Sequence, residues 1–153
     1  MTENLLVRIL LYGGGIYLFL NLYALLVSDK LIFAPRPPDY DHLPNEVRIA
    51  VGDGEEINAV HLEHPDAEYT LLFSHGNAET LANVAPFMQQ FYELGYSVLM
   101  YDYRGYGTSD GTPSTRKAKQ DAAAAYAWLV DEKGVDPRRI IAHGRSLGGA
   151  VAT

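Results

Sequence analysis

The sequence IIAHGRSLGG at residues 140–149 joins a short apolar segment to a pattern of glycine and serine. Gly144, Ser146 and Gly148 have the spacing Gly-x-Ser-x-Gly, in which a serine lies on a sharp turn between a strand and a helix. Glycines flank such a turn because they let the strand and the helix approach each other without a Cβ clash. The stretch predicts that Ser146 is a nucleophile above the sheet, with the Leu147 N–H free to stabilise an oxyanion.

The sequence before this turn alternates between strands and helices. Short apolar segments predict three strands, at Tyr69–Phe73, Ser97–Tyr101 and Arg139–Ala142. Apolar residues at three- and four-residue spacings predict a helix over Thr80–Leu94 between the first two strands. A second helix is predicted from Pro113 to Val130, behind a Thr112 cap. This alternation is typical of a parallel sheet with right-handed crossovers.

An antiparallel pair precedes this pattern. Val47–Val51 and Ile57–Leu62 alternate between apolar and polar residues, on either side of the turn sequence Gly52-Asp53-Gly54. The predicted fold class is therefore α/β, with a mostly parallel sheet that has an antiparallel start.

The amino-terminal region is apolar. Residues 9–28 carry no charge, and as a helix they would span about 30 Å, the thickness of the hydrocarbon core of a bilayer. We therefore expect a single-pass transmembrane anchor over residues 1–28 that contacts the lipid bilayer through residues 9–28. A secretory signal peptide and a buried core helix are the alternatives. Charges on both sides of the segment leave its membrane orientation open.

A proline-rich linker follows the apolar region. Pro35-Arg36-Pro37-Pro38 favours extended backbone, because proline fixes its own φ and moves the preceding residue out of the helical region. We expect this linker to cover residues 29–45 and residues 46–153 to be the amino-terminal portion of a folded domain.

Composition excludes some functions. The 153 residues are 48% hydrophobic and 20% charged, enough apolar material for a core. A net charge of -7 disfavours nucleic acid as a partner, because lysine and arginine are not in surplus to neutralise phosphates. The chain has no cysteine, which excludes disulfides and thiolate metal sites.

No metal or other cofactor is expected. His61 and His64 have an odd separation, which on a strand directs them to opposite faces, and we expect both to be surface residues, as we do His42. The glycines at residues 13–15 and 105–107 do not complete a dinucleotide-binding pattern.

Two loops at predicted strand ends accompany the serine turn. Ser74-His75-Gly76-Asn77-Ala78 follows the first parallel strand, where a second oxyanion donor is expected, and we assign this role to the Asn77 N–H. The sequence DYRGYG at residues 102–107 follows the next strand, and a structural role is predicted for it. Its glycines would shape a turn, while Asp102 and Arg104 would satisfy loop backbone groups or pair with each other.

The stretches at residues 75–78, 102–107 and 144–149 together resemble the α/β-hydrolase superfamily. More narrowly, the chain resembles a branch of serine hydrolases with one amino-terminal membrane helix followed by a proline-rich stretch. The resemblance implies that Ser146 is the nucleophile and that the amides of Asn77 and Leu147 form the oxyanion hole. It implies shaping roles for the residues around them: His75, Gly76, Asp102, Arg104, Gly105, Gly107, Gly144, Gly148 and Gly149. Members of this branch act as esterases, lipases or acyl-thioesterases, and some neighbours act as peptidases.

The rest of a catalytic triad is expected elsewhere. This fold orders its triad as serine, acid, histidine, and residues 147–153 contain neither partner. His143 is expected to pack near the strand end and His75 to shape its loop. We therefore expect residues 46–153 to be the amino-terminal portion of a longer hydrolase that acts on a small-molecule ester or thioester, and the 153-residue chain itself to be inactive. A catalytically inactive membrane-anchored fragment or binding module, and a peptidase of the same fold, are the alternatives.

Overall fold

The structure, a computed structural model, describes residues 2–153, with side chains from Asn4 onward. The first of its two compact units ends at Ile32, and the second covers Phe33–Thr153. The first unit is a single helix, α1 (Thr2–Ile32), whose side chains from residue 4 to residue 26 are exposed. Its segment Asn4–Ile32 is long and apolar enough to cross a membrane, a property that a membrane span and a signal sequence share.

A five-stranded sheet forms the centre of the second unit. Its strands are β1 (Glu46–Gly52), β2 (Glu55–Leu62), β3 (Thr70–Ser74), β4 (Ser97–Tyr101) and β5 (Ile140–Gly144). Their order across the sheet is β1-β2-β4-β3-β5, in which β1 and β2 pair antiparallel and β2 pairs antiparallel with β4. Strand β3 pairs in parallel with both β4 and β5. The predicted α/β class with an antiparallel start is confirmed.

Three helices pack against this sheet. They are α2 (Leu81–Glu93), α3 (Thr115–Ala127) and α4 (Leu147–Val151), and α3 continues as a π-helical turn over Trp128–Glu132. The predicted start of α3 at Pro113 with a Thr112 cap was wrong. The Ser114 side chain accepts a hydrogen bond from the Lys117 N–H and caps the helix, so its first residue is Thr115.

The helices lie on both faces of the sheet, as right-handed crossovers require. The chain crosses from β3 to its neighbour β4, and then crosses back over β3 to reach β5. Because these two crossovers run in opposite directions, α2 and α3 cover opposite faces of the sheet. Leu71 and Phe73 of β3 pack with the apolar residues of α2, whereas Leu72 between them packs with those of α3. This alternation follows the two-residue period of a strand.

The strand register aligns the three sequence motifs. Ser74 at the end of β3 lies opposite Tyr101 at the end of β4 and opposite Gly144 at the end of β5. The chain segments that follow these residues therefore meet at the carboxyl edge of the sheet, where open α/β sheets bind their ligands.

One histidine differs from its prediction. His61 is buried, with 8% of its surface exposed, and its ring packs edge-on against Trp128 with a centroid distance of 5.3 Å. The surface position predicted for His61 was wrong, because both faces of β2 are covered from Ile57 to His61. His64 lies beyond the end of β2, is half-buried and packs against Tyr92.

Candidate active site

The turn between β5 and α4 holds Ser146 in an unusual backbone conformation. Ser146 is exposed and has φ 53° and ψ -114°, a region that is costly for a residue with a side chain. Such strain persists only where the surrounding structure enforces it, and it is concentrated at functional sites. Within residues 2–153, no group hydrogen-bonds to the Ser146 hydroxyl and no acceptor is present for the Leu147 N–H.

Two glycines let the turn form because the backbone approaches itself closely there. A Cβ on Gly144 would overlap the Gly148 carbonyl, and a Cβ on Gly148 would overlap the carbonyl groups of Ser74 and His75. A Cβ on Gly149 would lie 3.7 Å from the Gly144 carbonyl oxygen, an ordinary contact. Packing therefore requires glycine at residues 144 and 148, but not at residue 149.

The loop after β3 is tied to the serine turn by charge and by backbone contacts. Arg145 pairs with Glu79, and its N–H donates to the Ser74 carbonyl at 3.1 Å. The Glu79 carboxylate also accepts the Gly76 N–H at 2.7 Å. Burial alone would raise the pKa of Glu79, but the hydrogen bonds from Arg145 and Gly76 outweigh it and lower that pKa. Glu79 therefore stays ionised and holds the two loops together.

Asn77 lies at the exposed tip of this loop, beside Ala78 in left-handed backbone conformation with φ 56°. Its side-chain oxygen accepts three hydrogen bonds, from the N–H groups of Ala34 and Ala78 and from the Tyr106 hydroxyl. The Asn77 side chain is thus fixed by neighbours on both sides of the loop.

The two histidines nearest the motifs have other neighbours. His75 is buried, with Nδ1 2.8 Å from the Gly76 carbonyl oxygen and Nε2 3.1 Å from Asp102 Oδ1, although the latter approach is not aligned as a hydrogen bond. The His143 ring stacks on Phe73 at a centroid distance of 5.5 Å. His75 therefore contacts its own loop, and His143 packs against Phe73 of the neighbouring strand β3.

Asp102 supports the amino-terminal end of α2. Its Oδ1 accepts the Leu81 N–H at 3.0 Å, and its Oδ2 accepts the Tyr40 hydroxyl at 2.5 Å. Burial, followed by the nearby Asp102 charge, raises the pKa of Tyr40 above its ordinary value, so Tyr40 stays a hydrogen-bond donor. Gly107, with φ 50°, passes directly against this carboxylate, and Gly105 has φ 80° in the same turn.

Arg104 is buried and pairs with carboxylates other than Asp102. Its Nε lies 2.7 Å from Asp121 on α3, and its Nη1 lies 3.1 Å from Glu55. The alternative that Asp102 and Arg104 pair with each other was wrong, because these two carboxylates surround the guanidinium. Their side chains instead bond to backbone groups of helices rather than of the loop, since Asp102 accepts the Leu81 N–H at the start of α2 and Arg104 donates to the Lys117 carbonyl on α3 at 3.2 Å.

The sequence alone did not reveal several residues that shape the site: Ala34, Tyr40, Glu79, Tyr106 and Asp121. Glu79 and Arg145 carry opposite charges on loops at the same sheet edge, a signal that could have identified their pair. The other contacts join segments that are distant in the chain, and no local pattern indicates them.

Comparisons with known proteins identify the family of this chain. Residues 65–153 match the protein family described as serine aminopeptidase, S33. The α/β hydrolase domain-containing protein aho-3 of Caenorhabditis elegans is 42% identical over 85 residues, which cover 55% of this chain and 26% of that protein. An uncharacterized protein of Mycobacterium tuberculosis is 37% identical over 122 residues, which cover 77% of this chain and 43% of that protein.

A solved structure shows the same fold. An esterase of Pyrococcus furiosus matches with a TM-score of 0.68 at 24% identity, over 79% of this chain and 49% of the esterase chain. The chain spans less than half the length of this esterase and of the two curated relatives.

Proposed function

Because this chain belongs to the serine aminopeptidase, S33 family of α/β-hydrolases, we propose that it is a serine hydrolase in which Ser146 attacks an ester or thioester carbonyl. The observation that carries this proposal is the strained, exposed Ser146 between two glycines that packing requires. A serine held in this way presents its hydroxyl above the sheet, at the edge where α/β folds bind substrates.

The proposed reaction has two acyl-transfer steps. Ser146 Oγ forms a bond to the carbonyl carbon as its proton passes to a general base, and the alcohol or thiol then leaves with that proton. Water attacks the acyl-enzyme in the same way, which releases the acid and restores the serine. The N–H groups of Leu147 and Asn77 would stabilise the negative oxygen in both steps.

The general base and its acid partner are proposed to lie outside residues 1–153. Both ring nitrogens of His75 face loop groups, and the His143 ring packs on Phe73. The matched relatives are more than twice as long as the parts that this chain covers, which leaves room for both partners. We therefore propose that residues 1–153 by themselves do not turn over substrate.

We further propose that α1 anchors the protein in a lipid bilayer, with residues 9–28 in contact with lipid. Its length and apolar composition support this proposal. Sequencing the amino terminus of the mature, membrane-extracted protein tests it against a cleaved signal sequence. Retention of residues 9–28 is expected, and a terminus beyond Ser28 would contradict the anchor.

A fluorophosphonate probe tests the proposed nucleophile in the protein that carries this sequence. Wild type is expected to be labelled, and Ser146→Ala is expected to lose both labelling and ester hydrolysis. Ser114→Ala, which removes a serine hydroxyl at the start of α3, is the matched control and should still be labelled. Persistent labelling of Ser146→Ala would move the nucleophile elsewhere, and no labelling of wild type would favour a catalytically inactive binding module.

A peptidase is the second candidate, favoured by the family description, serine aminopeptidase. Parallel assays with a p-nitrophenyl ester, an acyl thioester and an aminoacyl p-nitroanilide separate the two. Faster turnover of the ester and thioester is expected, and a preference for the anilide would establish the peptidase instead.

A further inference from the structure

The segment that follows α1 is part of the loop architecture at the site. This post-helix segment (residues 33–40) begins with Phe33, which is 5% exposed and belongs to the same apolar cluster as Tyr106. The next residue, Ala34, donates its N–H to Asn77 Oδ1 at 2.9 Å and to the Tyr106 hydroxyl oxygen at 3.1 Å. A proline-rich segment, which the sequence suggests is only a linker, therefore contacts the tip of the loop.

Three donors converge on one atom, the side-chain oxygen of Asn77. The Tyr106 hydroxyl lies 2.6 Å from it, the Ala34 N–H 2.9 Å and the Ala78 N–H 3.0 Å. Only the Ala78 donor belongs to the loop itself. Tyr106 is fully buried, so its ring cannot turn away from this contact without disturbing the core. The other two donors thus connect the loop tip to the core and to the post-helix segment.

The far end of the segment is tied to the base of the same loop. The Asp39 carboxylate accepts hydrogen bonds from Thr80 Oγ1 at 2.7 Å and from Asn83 Nδ2 at 2.8 Å. The Tyr40 hydroxyl donates to Asp102, which also accepts the Leu81 N–H at the start of α2. The segment therefore holds the loop at its tip and at its junction with α2.

We propose that the post-helix segment is a positioning element for the oxyanion loop, in which the Ala34 N–H and the Tyr106 hydroxyl fix Asn77. This inference rests on the proposed function, in which the Asn77 N–H is an oxyanion donor. Such a donor stabilises the transition state only if it already points at the position of the oxygen that becomes charged. A misplacement of about 1 Å can cost on the order of a hundredfold in rate, so fixing the loop tip affects turnover directly.

Two substitutions remove these donors one at a time in the protein that carries this sequence. Ala34→Pro removes the N–H, and Ala34→Gly is its matched control because it keeps that N–H. Tyr106→Phe removes only a hydroxyl, and Tyr126→Phe removes one from a tyrosine that is 40% exposed on α3. If Ala34→Pro does not fold, Tyr106→Phe carries the test alone.

The readout is kcat and KM for p-nitrophenyl ester hydrolysis, where kcat is Vmax divided by the concentration of sites that a fluorophosphonate titrates. Ala34→Pro and Tyr106→Phe are expected to lower kcat per titrated site about tenfold and to leave KM within about twofold, whereas both controls match wild type. A merely structural role would lower the number of titrated sites without changing kcat per site, and that result in Tyr106→Phe would overturn the inference. Labelling that persists in Ser146→Ala would instead overturn the proposed function.

Discussion

Gly148→Ala tests the close backbone approach beneath Ser146, and Gly149→Ala is its neighbouring control. Both glycines lie in α4, and alanine is favoured over glycine in a helix by about 0.5–1 kcal/mol. The two substitutions differ in what the new methyl group meets. At residue 148 it would overlap the carbonyls of Ser74 and His75, whereas at residue 149 its nearest neighbour would be 3.7 Å away.

The expected loss of stability depends on the kind of atom that the new methyl group contacts. Backbone carbonyls cannot move aside as a flexible side chain can, so the overlap at Gly148 belongs at the upper end of overpacking costs, about 3 kcal/mol. Gly149→Ala is expected to be neutral or stabilising by up to about 1 kcal/mol. A difference of about 3 kcal/mol corresponds to roughly a 150-fold change in the folding equilibrium.

Urea denaturation followed by far-UV circular dichroism, in detergent micelles, measures this difference. Gly148→Ala should lower the denaturation midpoint with little change in slope, while Gly149→Ala keeps the wild-type midpoint or raises it. Equal stabilities of the two variants, within about 0.5 kcal/mol, would refute the close approach between α4 and the loop after β3.

Three further results are expected. Arg104→Met leaves the buried Asp121 carboxylate without its charged partner, so the free energy of unfolding from urea denaturation should fall by about 3–5 kcal/mol. A smaller loss in the double variant Arg104→Met/Asp121→Leu would confirm that the unpaired charge is the cause, and an equal loss would contradict it. Burial lowers the pKa of His61 from 6.5, so the unfolded chain binds its proton more readily and stability falls as the pH drops below 6.5. His61→Gln should therefore lose less stability than wild type between about pH 6.5 and 5, and parallel losses would contradict that assignment. Because the pKa of Glu79 is lowered, its contribution to folding stability is present above pH 4.5 and is lost as the pH falls further. Glu79→Gln should therefore lose less stability than wild type when urea denaturation is repeated below pH 4.5. An equal loss in the two proteins would count against the contact with Arg145.

Much of the fold could be predicted from local patterns. Alternating apolar residues and the turn at Gly52-Asp53-Gly54 identify β1 and β2, and short apolar segments identify β3, β4 and β5. These patterns are most reliable for the central strands β2, β3 and β4, whose apolar side chains are buried, whereas the edge strand β5 leaves Ile141 exposed. The start of α3 was missed because Thr112 and Ser114 are both good caps, and only the folded chain selects Ser114.

The polar contacts of the site were less predictable. The partner of Arg104 lies 17 residues away on α3, and Tyr40 reaches Asp102 across 62 residues. Such pairs depend on tertiary packing, which no local sequence pattern indicates. The surface position predicted for His61 was wrong because Trp128, which is distant in the chain, packs against its ring. The serine turn was different, because the passage from strand to helix leaves a local Gly-x-Ser-x-Gly pattern, even though Gly148 is required by the distant carbonyls of Ser74 and His75.

Mapping the attachment site of a fluorophosphonate probe by tandem mass spectrometry tests the central claim most directly. The protein that carries this sequence is labelled, digested with trypsin, and the modified peptide is fragmented. Trypsin cleavage after Arg145 would place Ser146 at the amino terminus of its peptide, and the fragment masses assign the adduct to one residue. The account predicts a single adduct on Ser146. An adduct on another residue, with Ser146 recovered unmodified, would contradict it.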